Sequence, residues 1–319
     1  MELRCAPWTL AQGVDPVGSA ARYDALLLVE CPLPWPRDAS EIPDLAAASA
    51  RGGARVMAIV PRVDEAAAKE KETVRVTHHR RVGTNRLVGT DHRVAPDGVA
   101  RLLDAILDNP LADSGHLPSA VGAAPAEVLV CGHGRRDACC GRWGTLLHAE
   151  LAARGVQARV SRCSHTGGHR FAPTALTLPD GRAWAFVDAD DLTRVVERTG
   201  DLAALLPHDR GTSALDPWAQ VAERALFQQH GWAWLDHGLT AVTTEKADDR
   251  RSARVTLAWD APDGSHGTAE ALVEVQRVLP VPICGEPPEH ATKTSAEYAM
   301  ASLTVRSGWP AHPDVRAGR

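Results

Sequence analysis

The amino-acid sequence predicts an α/β fold, and three observations carry that expectation. Through the first two hundred residues, short apolar runs that end at proline or a turn alternate with alanine- and leucine-rich stretches at helical spacing. A hydrophobic content of 44% and a charged content of 24% are those of an ordinary globular chain, and 319 residues are enough for two domains. An Asp-Gly turn at Asp180 and Gly181 between apolar runs adds an antiparallel hairpin to what otherwise reads as parallel β-α-β structure.

Taken in order, residues 25–30 form an apolar run stopped by Pro32, Pro34 and Pro36, and residues 54–60 form a second one ended by Pro61. Both suit buried strands, and the alanine-rich 42–51 between them suits a crossover helix. Residues 73–77 and 86–90 are shorter candidate strands. Residues 98–107 place leucine and isoleucine at helical spacing, and 109–126, rich in Pro, Gly, Ala and Ser, read as a linker. A second unit opens at 127–130, a strand that delivers Cys131 at its carboxyl end. The loop 132–141 leads into a helix over 142–154, with Leu146, Leu147 and Leu151 as an apolar stripe and Gly155 as its stop. Residues 156–162 alternate as a strand, 175–178 and 183–187 pair as a hairpin, and 188–198 read as a closing helix with acidic residues in its first turn. Strand, helix, strand, hairpin, helix is the layout of a small thioredoxin-like domain. Beyond it, 216–230 reads as an amphipathic helix, while 253–259 and 271–278 read as strands joined through Asp263 and Gly264 that can complete the N-terminal sheet. After Pro280 an irregular tail is expected, and no repeat of fixed period is visible. The expected domains are therefore 1–115 (α/β, itself open to a thioredoxin-like reading), 120–205 (thioredoxin-like) and 210–319 (helix, hairpin and tail).

Chemistry concentrates in two motifs placed at the ends of neighbouring strands. Cys131, Cys139 and Cys140 lie around a glycine-bearing loop, and Cys163, His165 and His169 around Gly167 and Gly168. Cys131 and Cys140 on one side, with His165 and His169 on the other, offer two sulfurs and two nitrogens. That is the ligand set of a [2Fe-2S] cluster of Rieske type, and equally of a Cys2His2 zinc site. Adjacent side chains diverge, so one of Cys139 and Cys140 is expected to ligate, with Cys139 and Cys163 as alternates. Arg135, Arg136 and Arg170 stand beside these positions, either as hydrogen-bond donors and docking charges or as solvated loop charges. Cys5, Cys31 and Cys284 read as small buried hydrophobes.

The rest of the composition excludes more than it suggests. A net charge of -5 gives no case for nucleic acid, and the basic pair Arg80 and Arg81 is too short to change that. No stretch approaches a membrane span or a signal peptide, and seven unpaired-looking cysteines favour a reducing, cytoplasmic setting. A dithiol catalyst would want Cys-x-x-Cys at a helix start, which is absent. Asp188, Asp190 and Asp191 are explained by helix capping, and no nucleophile elbow, phosphate loop or dinucleotide fingerprint appears.

At these residues the chain resembles the sucrase/ferredoxin-like family. The resemblance rests on Cys131-Gly-His-Gly-Arg-Arg-Asp with Cys139 and Cys140 behind it, on Cys163-Ser-His-Thr-Gly-Gly-His-Arg-Phe-Ala-Pro-Thr, and on Leu178-Pro-Asp-Gly. Residues 27–30 with 34–38, and the stretch 210–217, extend it. It implies a thioredoxin-like [2Fe-2S] ferredoxin domain with Cys131 and Cys140 on one iron and His165 and His169 on the other. Imidazoles in place of thiolates leave such a cluster less negative, which moves its potential upward from about -400 mV toward the Rieske range. The expected protein is a cytoplasmic electron carrier that meets a reductase and an acceptor protein, rather than a catalyst, and no glycosidase mechanism is visible. A redox- or metal-responsive regulator and a structural zinc protein are the alternatives. The tail either covers the site or joins chains into a homo-oligomer.

Overall fold

The computed structural model describes residues 3–61 and 73–308. After helix α1 (Cys5–Ala11) the chain runs β1 (Ala25–Glu30), α2 (Pro43–Arg51), β2 (Arg55–Ile59), β3 (Val74–Val82), β4 (Arg86–Val94), α3 (Val99–Leu107) and β5 (Ala120–Ala123). The same succession then returns as β6 (Glu127–Cys131), α4 (Thr145–Arg154), β7 (Arg159–Cys163), β8 (Thr174–Leu178), β9 (Arg182–Ala185), α5 (Ala189–Glu197) and β10 (Asp209–Thr212). Pairing repeats as well. β1 is parallel to β2 and antiparallel to β3, followed by β4 and β5; β6 is parallel to β7 and antiparallel to β8, followed by β9 and β10. The α/β class is thus realised twice with one topology. This repeat escapes the sequence because it lies in the pattern of apolar positions, which many residue choices satisfy.

The two series join edge to edge into a ten-stranded sheet of order β10-β9-β8-β6-β7-β2-β1-β3-β4-β5. The seam is short. Ile59 of β2 pairs with Cys163 of β7, extended by Val60 N–H to Arg162 O at 2.9 Å and Ser164 N–H to Ala58 O at 2.8 Å. Beside it a buried ion cluster spans both halves. Arg75 donates to Glu30 at 3.3 Å and faces Glu127 at 3.7 Å, Ser161 donates to Glu127 at 2.5 Å, and Arg159 binds Asp91 while standing 3.6 Å from Glu127.

Strand alternation distributes the core. Leu27 and Val29 of β1 pack with Leu45 and Ala48 of α2 and with Leu102, Leu103 and Ile106 of α3. Leu26 and Leu28 point the other way and join Leu129, Leu176 and Leu178 of the second series. In α4, Leu147 and Leu151 are buried four residues apart, whereas Leu146, expected in that stripe, is 63% exposed.

The C-terminal strands do not complete the N-terminal sheet. Helix α6 (Pro217–His230) is followed by β11 (Gly238–Lys246), β12 (Ser252–Asp260), β13 (His266–Pro280) and β14 (Thr294–Gly308), which form a separate antiparallel sheet in that order. The reason is one-sided burial. Val255, Leu257, Trp259, Ala269, Ala271 and Val273 share a cluster with Trp218, Ala222 and Leu226 of α6, so the sheet buries one face on that helix and leaves the other wet. The tail expected to be irregular contains β14; residues 309–319 of it lie outside the described residues. Among the described residues no helix is long and apolar enough to cross a membrane.

Two buried histidines make acid stability a test of this packing. Among the described residues His79 has no hydrogen-bond partner on either ring nitrogen, and His92 is held by Ser119 at 3.0 Å and Ser114 at 2.9 Å. Burial pushes His79 down to about 3 and His92 down to about 4. Unfolded histidine titrates near about 6.5, so below that pH the unfolded chain binds protons that the folded chain refuses. Stability is therefore expected to fall from pH 6.5 toward pH 4, by up to about 1.4 kcal/mol per pH unit for each imidazole. Urea midpoints measured between pH 7 and 5 should drop at constant m, with a shallower slope in His79→Leu. A flat profile would contradict the buried placement.

Candidate metal centre

Cys131 is the last residue of β6 and lies in register with Cys163 at the end of the parallel β7, so both motif loops leave the same end of the sheet. The loop after Cys131 doubles back tightly. A Cβ on Gly141 would sit 2.4 Å from the Gly134 Cα, and a Cβ on Gly144 would sit 1.8 Å from the Cys131 carbonyl oxygen. Glycine is required at both by backbone contact. The chain then enters α4 through a π-helical turn, Cys140–Gly144, a form that often marks functional sites. Opposite, Gly167 and Gly168 take the left-handed φ values of +85° and +70° that turn the second loop.

Arginines hold the carbonyls of both loops. Arg162 donates to Gly132 O at 2.8 Å, Arg55 to His165 O at 3.1 Å, and Arg210 to Gly167 O at 3.0 Å and Ser19 O at 2.6 Å. Burial pulls the Arg210 and Arg170 guanidiniums down to about 10, so both stay cationic at neutral pH.

The Sγ atoms of Cys131 and Cys140 and a ring nitrogen of His165 come within 4.8 Å of one another. The two cysteines are fully buried, with Ala6, Ala172, Trp143 and Phe186 packed around them, while His165 and His169 are half-buried. Hydrogen bonds from Cys140 and from His165 push the Cys131 thiol below its ordinary value against the effect of burial; sharing the first of these bonds, then burial, pushes Cys140 up. The His165 Nδ1 is buried without a hydrogen-bond partner among the described residues. His169 stands with its ring centre 5.9 Å from that of His165, and its Nδ1 is 3.3 Å from Asp137 Oδ2.

The remaining sequence candidates are placed differently. Cys139 and Cys140 open a helical turn, where neighbours diverge by about 100°, and the Cys139 thiol faces Cys284 instead of Cys131. Cys163, in register with Cys131, packs among Met57, Ile59 and Leu129 and stays outside the Cys131 group. Arg135 and Arg136 are exposed, Arg136 lying 3.8 Å from Asp38, and Arg170 is buried with its guanidinium 4.6 Å over the Phe171 ring. Sequence reasoning missed Arg55, Arg162 and Arg210 as supports, because no local signal marks an arginine that reaches a distant loop.

Two thiols and an imidazole, with a second imidazole adjacent, are donors that suit zinc or an iron–sulfur cluster, and an orphaned buried ring nitrogen fits such a ligand. A family model described as sucrase/ferredoxin-like matches residues 16–211 of the chain. No curated protein and no solved structure matches it.

Proposed function

The chain belongs to the sucrase/ferredoxin-like family, and on that premise we propose that it is an iron–sulfur electron-transfer protein holding a [2Fe-2S] cluster through Cys131, Cys140, His165 and His169. The observation that carries this reading is the convergence of Cys131, Cys140 and a ring nitrogen of His165 within 4.8 Å, beside a buried His165 Nδ1 that finds no hydrogen-bond partner among the described residues. When bound, such a cluster takes up and releases single electrons.

The protein's own residues supply the rest. The buried thiols and their apolar jacket exclude water from the sulfur side, and the half-buried imidazoles form the edge that a redox partner approaches. Asp137 beside the His169 Nδ1 orients that ring and leaves Nε2 for ligation, the usual job of a carboxylate behind a ligating histidine. Arg55, Arg162, Arg170 and Arg210 bring positive charge to the two loops, which favours an added electron and so raises the potential. The exposed Arg135 suits an acidic partner face. Seven free cysteines are consistent with work in a reducing compartment, which we take to be the cytoplasm.

Anaerobic purification followed by iron, sulfide and zinc analysis, with EPR of the dithionite-reduced protein, tests this. About two irons and two sulfides per chain with a rhombic Rieske-like signal is the expected result. Zinc in place of iron, with no sulfide, would sink the carrier and leave a structural Cys2His2 site.

A further inference from the structure

Three cysteines that serve no role in that cluster also converge. Cys5 comes from α1, Cys139 from the loop after β6 and Cys284 from the segment between β13 and β14, and all three meet Asp137. The Cys139 and Cys284 sulfurs are 3.2 Å apart, those of Cys284 and Cys5 3.6 Å, and Asp137 Oδ1 is 3.4 Å from both Cys5 and Cys284. The four donors lie within 4.8 Å of one another. We infer that Cys5, Asp137, Cys139 and Cys284 form a second metal site, taking one four-coordinate divalent ion of the zinc class, distinct from the Cys131 group.

The distances fit that ion. Zinc bonds of about 2.3 Å to sulfur and about 2.0 Å to oxygen, set tetrahedrally, give edges of about 3.8 Å between sulfurs and about 3.5 Å from sulfur to oxygen. The Cys5–Cys284 distance and both sulfur distances to Asp137 Oδ1 already match those edges within a few tenths of an ångström, and the shorter Cys139–Cys284 contact has to open on binding. Three sulfurs and a carboxylate crowded together, with Cys5, Cys139 and Asp137 buried and Cys284 half-buried, form a soft, anionic set that a cation neutralises. Four protein donors without an open position make it a structural site, not a catalytic one.

Backbone contacts hold the donors in place. Asp137 Oδ1 accepts from the Cys139 N–H at 2.9 Å, Oδ2 accepts from the Cys284 N–H at 3.4 Å, and Gly285 N–H donates to Leu3 O at 3.0 Å. The ion therefore ties two remote parts of the chain to the loop that carries Cys140. Asp137 links the sites, with both carboxylate oxygens 3.4 Å from the Cys5 sulfur and Oδ2 also 3.3 Å from the His169 Nδ1. No part of this depends on the first site holding a [2Fe-2S] cluster.

The test is zinc, iron and sulfide per chain in the full-length protein, purified anaerobically without chelator, beside Cys284→Ser, Cys5→Ala and Cys131→Ser. One zinc beyond whatever the first site holds is expected in the unaltered chain, falling to less than about a tenth in Cys284→Ser and Cys5→Ala. Cys131→Ser should lose iron and sulfide and keep this zinc. If the first site instead proves to bind zinc, the unaltered chain carries two and Cys284→Ser one, so the readings fail separately. Should the variants not fold, titration of the reduced, metal-free chain with Co²⁺ alone should give the absorption of a tetrahedral thiolate-rich site. A Cys139–Cys284 disulfide in the anaerobic protein, undiminished zinc in both variants, or a chain that binds neither zinc nor cobalt beyond the first site overturns the inference.

Discussion

Gly144→Ala is expected to cost about 3 kcal/mol or more and to strip the Cys131 site of its metal, although residue 144 bears no donor. The added methyl would fall 1.8 Å from the Cys131 carbonyl oxygen and 2.8 Å from its carbonyl carbon, and both belong to backbone held in the central strand β6. A flexible side chain could swing aside; paired backbone cannot. Relief requires α4 to move off the sheet, which carries Cys140 away from Cys131. Gly155→Ala is the control. Its φ of +65° is unfavourable for alanine, but its Cβ would meet nothing within 4 Å, so about 1–2 kcal/mol is expected with metal retained. Urea midpoints and metal content of the two variants decide the matter, and a Gly144→Ala chain within 1 kcal/mol of the parent, fully loaded, would show that α4 is not locked against β6.

Arg75→Met should destabilise the chain by about 3–5 kcal/mol. The guanidinium is 3% exposed and stands between Glu30 and Glu127, one from each half of the sheet. Removing it leaves two buried carboxylates with Arg159, Arg93, Ser161 and the backbone N–H of residue 75 to answer them. Burial already pushes the Glu127 carboxyl up, with Arg75 the main opposing influence, so loss of Arg75 raises it further. Glu127→Gln made on top of Arg75→Met should recover part of the loss, giving a coupling energy above about 1 kcal/mol in a double-mutant cycle. Simple additivity of the two substitutions, or a cost that disappears in high salt as for surface pairs, would mean that the cluster does not clamp the halves.

Legibility followed sequence distance. The runs at 25–30 and 127–130, the Asp-Gly hairpin and the helices ended by Arg51 and Arg154 could be read because each depends on neighbours within a few residues. The Cys131 and His165 motifs were visible for the same reason, since a loop places its own cysteine and glycines at fixed offsets. Strand β14 was missed because its segment is polar and half-exposed, and it is ordered by the long ladder with β13. Cys5 and Cys284 were read as small core residues, as isolated cysteines usually are, and only their meeting with Cys139 sets them apart.

The α/β class, the order of strands β1 to β4 and β6 to β9 and the two metal-type loops follow from the sequence by itself, because local propensity, turn chemistry and loop spacing are short-range; β5 falls in the expected linker and β10 carries no such run. Tertiary structure alone decided that the two series share one sheet, that the C-terminal strands stand apart, that Cys140 faces Cys131 while Cys139 turns away, and that remote arginines brace the site. Those outcomes depend on which buried faces and charges of separate elements find each other in space, and no local pattern encodes that choice.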